Sequence, residues 1–246
     1  MKVLSIGNSF SQDAHKWLHT LAKHNGIDMD TANLFIGGCS LETHYINIEE
    51  NNAFYDLELN GGECERKISI EEALKMEQWD IITLQQVSQL SGVPESYEPY
   101  LLKIVAYVKS ICPKAELYFH QTWAYEMDST HGGFAEYHCD QQEMYQRVKE
   151  TTELYAQKIG AKLIPVGVAI QNIRENIAEF DYANGGLSLC RDGFHLSLDY
   201  GRFAAAAVWF RALTGQEIQV SSFEGFDEIK LEKIIALINV MENVIL

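Results

Sequence analysis

Positive charge is scarce in this chain. Its 246 residues hold 19 Lys plus Arg against 35 Asp plus Glu, a formal net charge of -16 at pH 7, with no run of basic residues longer than Arg66-Lys67. Without such a run there is little to track a phosphate backbone, so nucleic acid and anionic membrane surfaces are not expected partners. The same field disfavours polyanionic substrates and makes a neutral ester easier to accept than a phosphate or an acidic glycan. Paired cysteines are also missing. Cys39, Cys64, Cys112, Cys139 and Cys190 are scattered, odd in number and form no Cys-x-x-Cys, which reads as five free thiols. No apolar segment approaches the roughly 20 residues that a membrane span needs. Residues 1–6 carry neither a basic stretch nor a long apolar run, so no signal peptide is visible and a cytoplasmic protein is expected; a trimmed secreted chain would read identically. Repeats, linkers and low-complexity segments are absent, and the length suits one well-filled α/β domain over 1–246.

Short apolar runs alternate with amphipathic stretches, the pattern of a parallel sheet covered by helices on both faces. Strands are expected near 2–6, 30–36, 80–85, 115–120 and 161–165, and helices near 12–25, 96–111, 140–159, 198–213 and 227–245. The last helix, with Ile229, Leu231, Ile234, Ile235, Leu237, Ile238, Met241, Val244 and Ile245, is expected to pack on the sheet, the alternative being a contact between subunits of an oligomer. Two connections are expected to be loop-rich excursions: about 40–78, over the active-site edge, and 121–139, rich in Trp, Tyr, His and Gly. Both follow carboxyl ends of strands, where open α/β sheets place ligands.

Chemistry concentrates at the two ends. The first strand runs into Gly7-Asn8-Ser9-Phe10-Ser11, and Asp192-Gly193-Phe194-His195 lies near the other end. A serine hydroxyl is a poor nucleophile unless a base lies within hydrogen-bond reach and a third group orients that base. A glycine permits a sharp turn at the strand end, and Ser9 would then sit at the entrance to the following helix, whose N-terminus favours developing negative charge. Ser11, two residues on, suits an N-cap. Strand-Gly-x-Ser with a downstream Asp-x-x-His resembles the SGNH (GDSL-type) hydrolase family, in a branch with a Gly-Asn-Ser-Phe start and a Gln-Gln third strand. Asn8 departs from that family's usual Asp.

The resemblance implies a three-layer α/β/α sandwich with a flavodoxin-like five-stranded parallel sheet, the SGNH hydrolase fold. It implies Ser9 as nucleophile, His195 as base and Asp192 as its orienter. It also implies an oxyanion hole from the Ser9 amide, a glycine amide after the second strand (Gly38 preferred over Gly37) and a side-chain amide after the third. There, Gln86 stands for the family's Asn, with Gln85 or Gln89 as alternatives. Trp123 and Tyr125 would overhang Ser9 and suit a sugar ring, and relatives of the branch include esterases acting on acylated carbohydrates. The expected function is hydrolysis of a small acyl ester, acetyl on a sugar, with no cofactor and no metal. His15 with His19, on what should be a solvated helix face, lack a third ligand; Cys190, Asp192 and His195, or His131, His138, Cys139 and Asp140, are weaker candidates. Competing readings are a lipid or aryl esterase or thioesterase with the same residues, a non-catalytic binding module, and a Cys39 nucleophile.

Overall fold

In a computed structural model describing residues 1–241, the five expected strands appear as β1 (Lys2–Gly7), β2 (Asp30–Phe35), β5 (Ile81–Leu84), β6 (Glu116–His120) and β7 (Lys162–Ile164). All pair in parallel, in the order β2-β1-β5-β6-β7, the flavodoxin-like arrangement of a doubly wound sheet. Successive parallel strands must be joined by crossovers, so the amphipathic stretches become covering helices. One apolar layer joins Val3, Ile81 and Tyr118 to α1 (Ser9–His24), α6 (Val166–Asn176), α7 (Tyr200–Thr214) and α8 (Glu228–Val240). The opposite layer joins Leu4, Ile6, Ile82, Leu84, Leu117 and Phe119 to α2 (Leu41–Glu49), α3 (Ile70–Met76) and α4 (Tyr100–Ile111). Alternate residues of one strand thus serve both layers. The helix α5 (Gln141–Lys158) contributes Met144 and Val148 to the first layer and Tyr155 and Ala156 to the second.

The sheet has seven strands rather than the expected five. The segment 40–78 is regular: α2, then β3 (Tyr55–Leu59) and β4 (Cys64–Ile68), then α3. The two new strands add antiparallel edges beyond β2, so this segment widens the sheet instead of forming a loop excursion. Tyr55 and Leu57 are buried on the apolar layer, and Glu58 is buried on the opposite face, where it accepts from Asn33 Nδ2 at 2.8 Å. Helix α6, also unexpected, begins directly after Pro165, whose fixed φ suits a helix start. In α8, Leu231, Ile234, Ile235 and Ile238 are buried; Val244 and Ile245 lie outside the described residues. Among the described residues no helix is long and apolar enough to cross a membrane.

Candidate active site

The end of β1 places Ser9. A Cβ on Gly7 would stand 2.2 Å from Ser11 Oγ, so this glycine is needed for close approach and not for a left-handed turn. Asn8, extended in backbone, is the N-cap of α1: its Oδ1 accepts the Phe10 N–H at 3.0 Å, while Ser11 Oγ accepts the Asn8 N–H at 3.1 Å. Ser11 therefore closes a capping box and is not itself the cap. Ser9 becomes the first helical residue, three residues earlier than expected. Its N–H is one of the orphan donors of a helix start and has no partner among the described residues.

Asn8 also binds its neighbours. Its Nδ2 donates to Cys39 O at 3.0 Å, and its Oδ1 accepts from Gln85 Nε2 at 2.6 Å. A carboxylate accepts but cannot donate, so Asn in place of Asp is what ties the glycine loop to the turn that carries Ser9. That loop is a turn closed by Cys39 N–H to Ile36 O at 3.2 Å, with Gly38 at φ +67°. Gly37 and Gly38 are exposed, and the Gly38 N–H has no partner among the described residues.

His195 arrives on the loop between Cys190 and Leu196, which pair as an isolated antiparallel bridge. Asp192 Oδ1 accepts the N–H groups of Phe194 (3.2 Å) and His195 (2.7 Å), with Gly193 at φ +85°. Asp192 Oδ2 lies 2.7 Å from His195 Nδ1, and His195 Nε2 lies 2.9 Å from Ser9 Oγ, across 186 residues of sequence. The carboxylate acceptor fixes the proton on Nδ1 and leaves Nε2 free to take the serine proton. Burial works against the Asp192 charge, but hydrogen bonds from the His195 ring and from the His195 and Phe194 amides prevail and hold its carboxyl below the usual range.

Two buried carboxylates clamp this loop. Asp13, fully buried one turn after Ser9, accepts from Arg202 Nε (2.7 Å), Arg191 Nη1 (3.0 Å) and the Leu196 N–H (2.9 Å). Glu126 accepts from Ser188 Oγ (2.7 Å), Gln141 Nε2 (3.0 Å) and Arg174 Nη2 (3.3 Å), while its own N–H reaches Gly193 O at 2.7 Å. Neither was anticipated; a lone acidic residue in a helix or loop gives no local signal of its arginine partners.

Other expectations are corrected. Gln86 is fully committed: Oε1 accepts the Leu41 and Val87 N–H groups at 3.0 and 2.8 Å, and Nε2 donates to Ser96 O and Oγ, both at 3.0 Å. An oxyanion would have to compete with those bonds. Gln85 is equally engaged, between Asn8 and His120 Nδ1 (2.7 Å). Trp123 and Tyr125 are fully buried, not at a rim. Trp123 stacks on Phe10 at 4.1 Å and donates to Phe194 O at 2.7 Å, and the Tyr125 hydroxyl meets Ser88 Oγ at 2.7 Å. They support the base loop from beneath. His15 is buried, not solvated: Nε2 meets Ser5 Oγ at 2.6 Å, and the ring stands edge-on to Trp209. His19 instead meets Met29 O. Burial pushes the Cys39 thiol up to about 12, which leaves almost no thiolate to attack at neutral pH. Among the described residues no three His, Cys, Asp or Glu side chains gather as a metal site.

Comparison with solved structures returns a DUF4886 family protein from Bacteroides uniformis, 40% identical over 97% of this chain and 93% of that one, with a TM-score of 0.89. A proposed SGNH hydrolase from Slackia heliotrinireducens is 21% identical over 86% of this chain and 97% of that one, TM-score 0.58. A mutant acetyl-xylooligosaccharide esterase from Geobacillus stearothermophilus is 12% identical over 89% and 96%, TM-score 0.55. No curated protein matches the sequence. At those lower identities the likeness carries the fold alone, and the fold is that of the SGNH hydrolases. A family model described as a domain of unknown function, DUF4886, matches residues 2–233, and the chain belongs to the DUF4886 family.

Proposed function

We propose that this protein is a serine ester hydrolase working through an acyl-enzyme. Ser9 Oγ attacks the ester carbonyl as His195 Nε2 takes its proton. The oxyanion is met by the N–H groups of Ser9 and Gly38, at the positive end of α1. The tetrahedral intermediate collapses, the carbonyl–alkoxy bond breaks, and His195 returns the proton to the leaving oxygen. Water, activated by the same imidazole, then releases the acid and regenerates Ser9. Asp192 stays ionised throughout and holds the imidazolium. One observation carries the reading: the chain of 2.7 and 2.9 Å contacts from Asp192 through His195 to Ser9. A binding module would have no use for a base fixed in that tautomer.

The finer proposal is a small acyl group, acetyl, on a carbohydrate. Gly37 and Gly38 are exposed and the Asp192 side chain is 40% exposed, so the serine is approached over an open shelf that suits a short acyl group on a bulky alcohol. One protein of the same fold acts on acetylated xylooligosaccharides. The test is release of 4-nitrophenol from its acetate and octanoate esters by wild type, Ser9→Ala and His195→Ala. The proposal expects acetate turnover that each substitution lowers at least about a thousandfold. Octanoate preference would move the substrate to lipids, and a wild type no faster than the mutants would leave only a binding function.

A further inference from the structure

His131 lies in the long connection after β6, and the mechanism above does not use it. Its Nδ1 accepts the Gly133 N–H at 3.0 Å, capping the short 3-10 turn Gly132–Tyr137. A ring nitrogen that accepts carries no proton, so in the neutral ring the proton sits on Nε2. That nitrogen has no partner among the described residues, and the side chain is only partly buried. The ring is fixed in place by two edge contacts, to Tyr125 at 4.9 Å and to Phe194 at 4.6 Å. Phe194, partly exposed, in turn lies 4.1 Å from the His195 ring.

Protonation of the leaving oxygen restricts where the alcohol can be. That oxygen must come within hydrogen-bond reach of His195 Nε2, so the body of the alcohol rests beside His195. Two aromatic rings flank His195: Phe10 at 5.9 Å, which is buried, and the partly exposed Phe194 at 4.1 Å, with His131 beyond it. An apolar ring next to a fixed neutral N–H donor matches an alcohol that has both C–H faces and further hydroxyl groups, which describes a sugar or other polyol. We infer that Phe194 and His131 form the leaving-group subsite, with His131 Nε2–H donating to a hydroxyl or ester oxygen adjacent to the scissile ester. This inference rests on the esterase reading and adds the specificity-determining residue.

The experiment compares kcat/KM for glucose pentaacetate and for 4-nitrophenyl acetate in wild type, His131→Asn and His131→Gln, with Ser9→Ala as control. Asn keeps an acceptor for the Gly133 N–H but is too short to present the donor, whereas Gln restores a donor at greater reach. The ratio of sugar-ester to aryl-ester kcat/KM should fall about tenfold in His131→Asn, mainly through KM, and recover at least in part in His131→Gln. A ratio unchanged in His131→Asn, or equal loss on both substrates, overturns the subsite. So does a wild type that turns over the aryl ester through Ser9 but not the sugar ester. Wild-type turnover of neither substrate overturns the esterase reading and the subsite together.

Discussion

Asp13 shows how one residue sets a distance between remote parts of the chain. It stands on the same helix as Ser9, four residues on, and through Arg191 and the Leu196 N–H it holds the loop that presents His195. Asp13→Asn keeps the shape and removes the charge, leaving Arg191 and Arg202 facing a neutral amide. The expected outcome is a loss of about 2–4 kcal/mol in denaturant unfolding and a kcat lowered roughly tenfold at a temperature where the variant is fully folded. Unchanged kcat would show that the loop keeps its position without Asp13. Ser9, Asp192 and His195, which the fold brings into contact, stand out in the sequence because each belongs to a short local pattern. The orientation of the glutamines is not legible in this way: where the Gln85 and Gln86 amides point is decided by Asn8, His120 and Leu41, distant in sequence, and by Ser96 across the following loop. Trp123 and Tyr125 were misplaced for a related reason, since an aromatic in a loop can be buried when its N–H or O–H finds a partner, as both do here.

At the scale of elements, the parallel strands were legible because a strand buried on both faces must be almost continuously apolar. Strands β3 and β4 were not, because β3 carries the charged residues Asp56 and Glu58 and the exposed run Cys64, Glu65, Arg66 and Lys67 of the edge strand β4 looks like loop. Helix α6 was hidden by the apolar run Leu163-Ile164-Pro165-Val166, which reads as continued strand. The connection 121–139 is irregular, as expected, apart from the 3-10 turn Gly132–Tyr137, and it is anchored by the buried Glu126–Arg174 pair, with side-chain exposures of 3% and 5%. Glu126→Gln leaves Arg174 without its counter-charge and should cost about 3–5 kcal/mol. Proteolysis should then cut within 121–139 first. If cleavage begins elsewhere, this pair does not hold the connection.

For the whole molecule, three buried histidines couple stability to pH. Burial lowers His15, His44 and His120 to about 3 from an ordinary value of 6.5, His15 adding a smaller charge effect on His120. Their folded values lie below the unfolded one, so unfolding takes up protons between pH 6.5 and 3, and stability rises with pH across that window. Each histidine contributes about 1.4 kcal/mol per pH unit when fully titrating, about 4 for three. Burial raises the Glu58 carboxyl, which acts in the opposite sense in the acid range. Against a typical total of about 5–15 kcal/mol, urea midpoints should fall steeply between about pH 7 and 5, and His44→Gln should reduce the slope. A flat profile would contradict the burial of these rings as neutral side chains. The fold brings a strand end and a loop 186 residues apart into contact, and the proposed function makes them one reactive unit. The most direct measurement of that claim is mass spectrometry after incubation with an organophosphonate ester probe. The account predicts one covalent phosphonyl adduct per chain, on the peptide containing Ser9, retained in Ser11→Ala and strongly slowed in His195→Ala. No adduct, or an adduct on another residue, would contradict it.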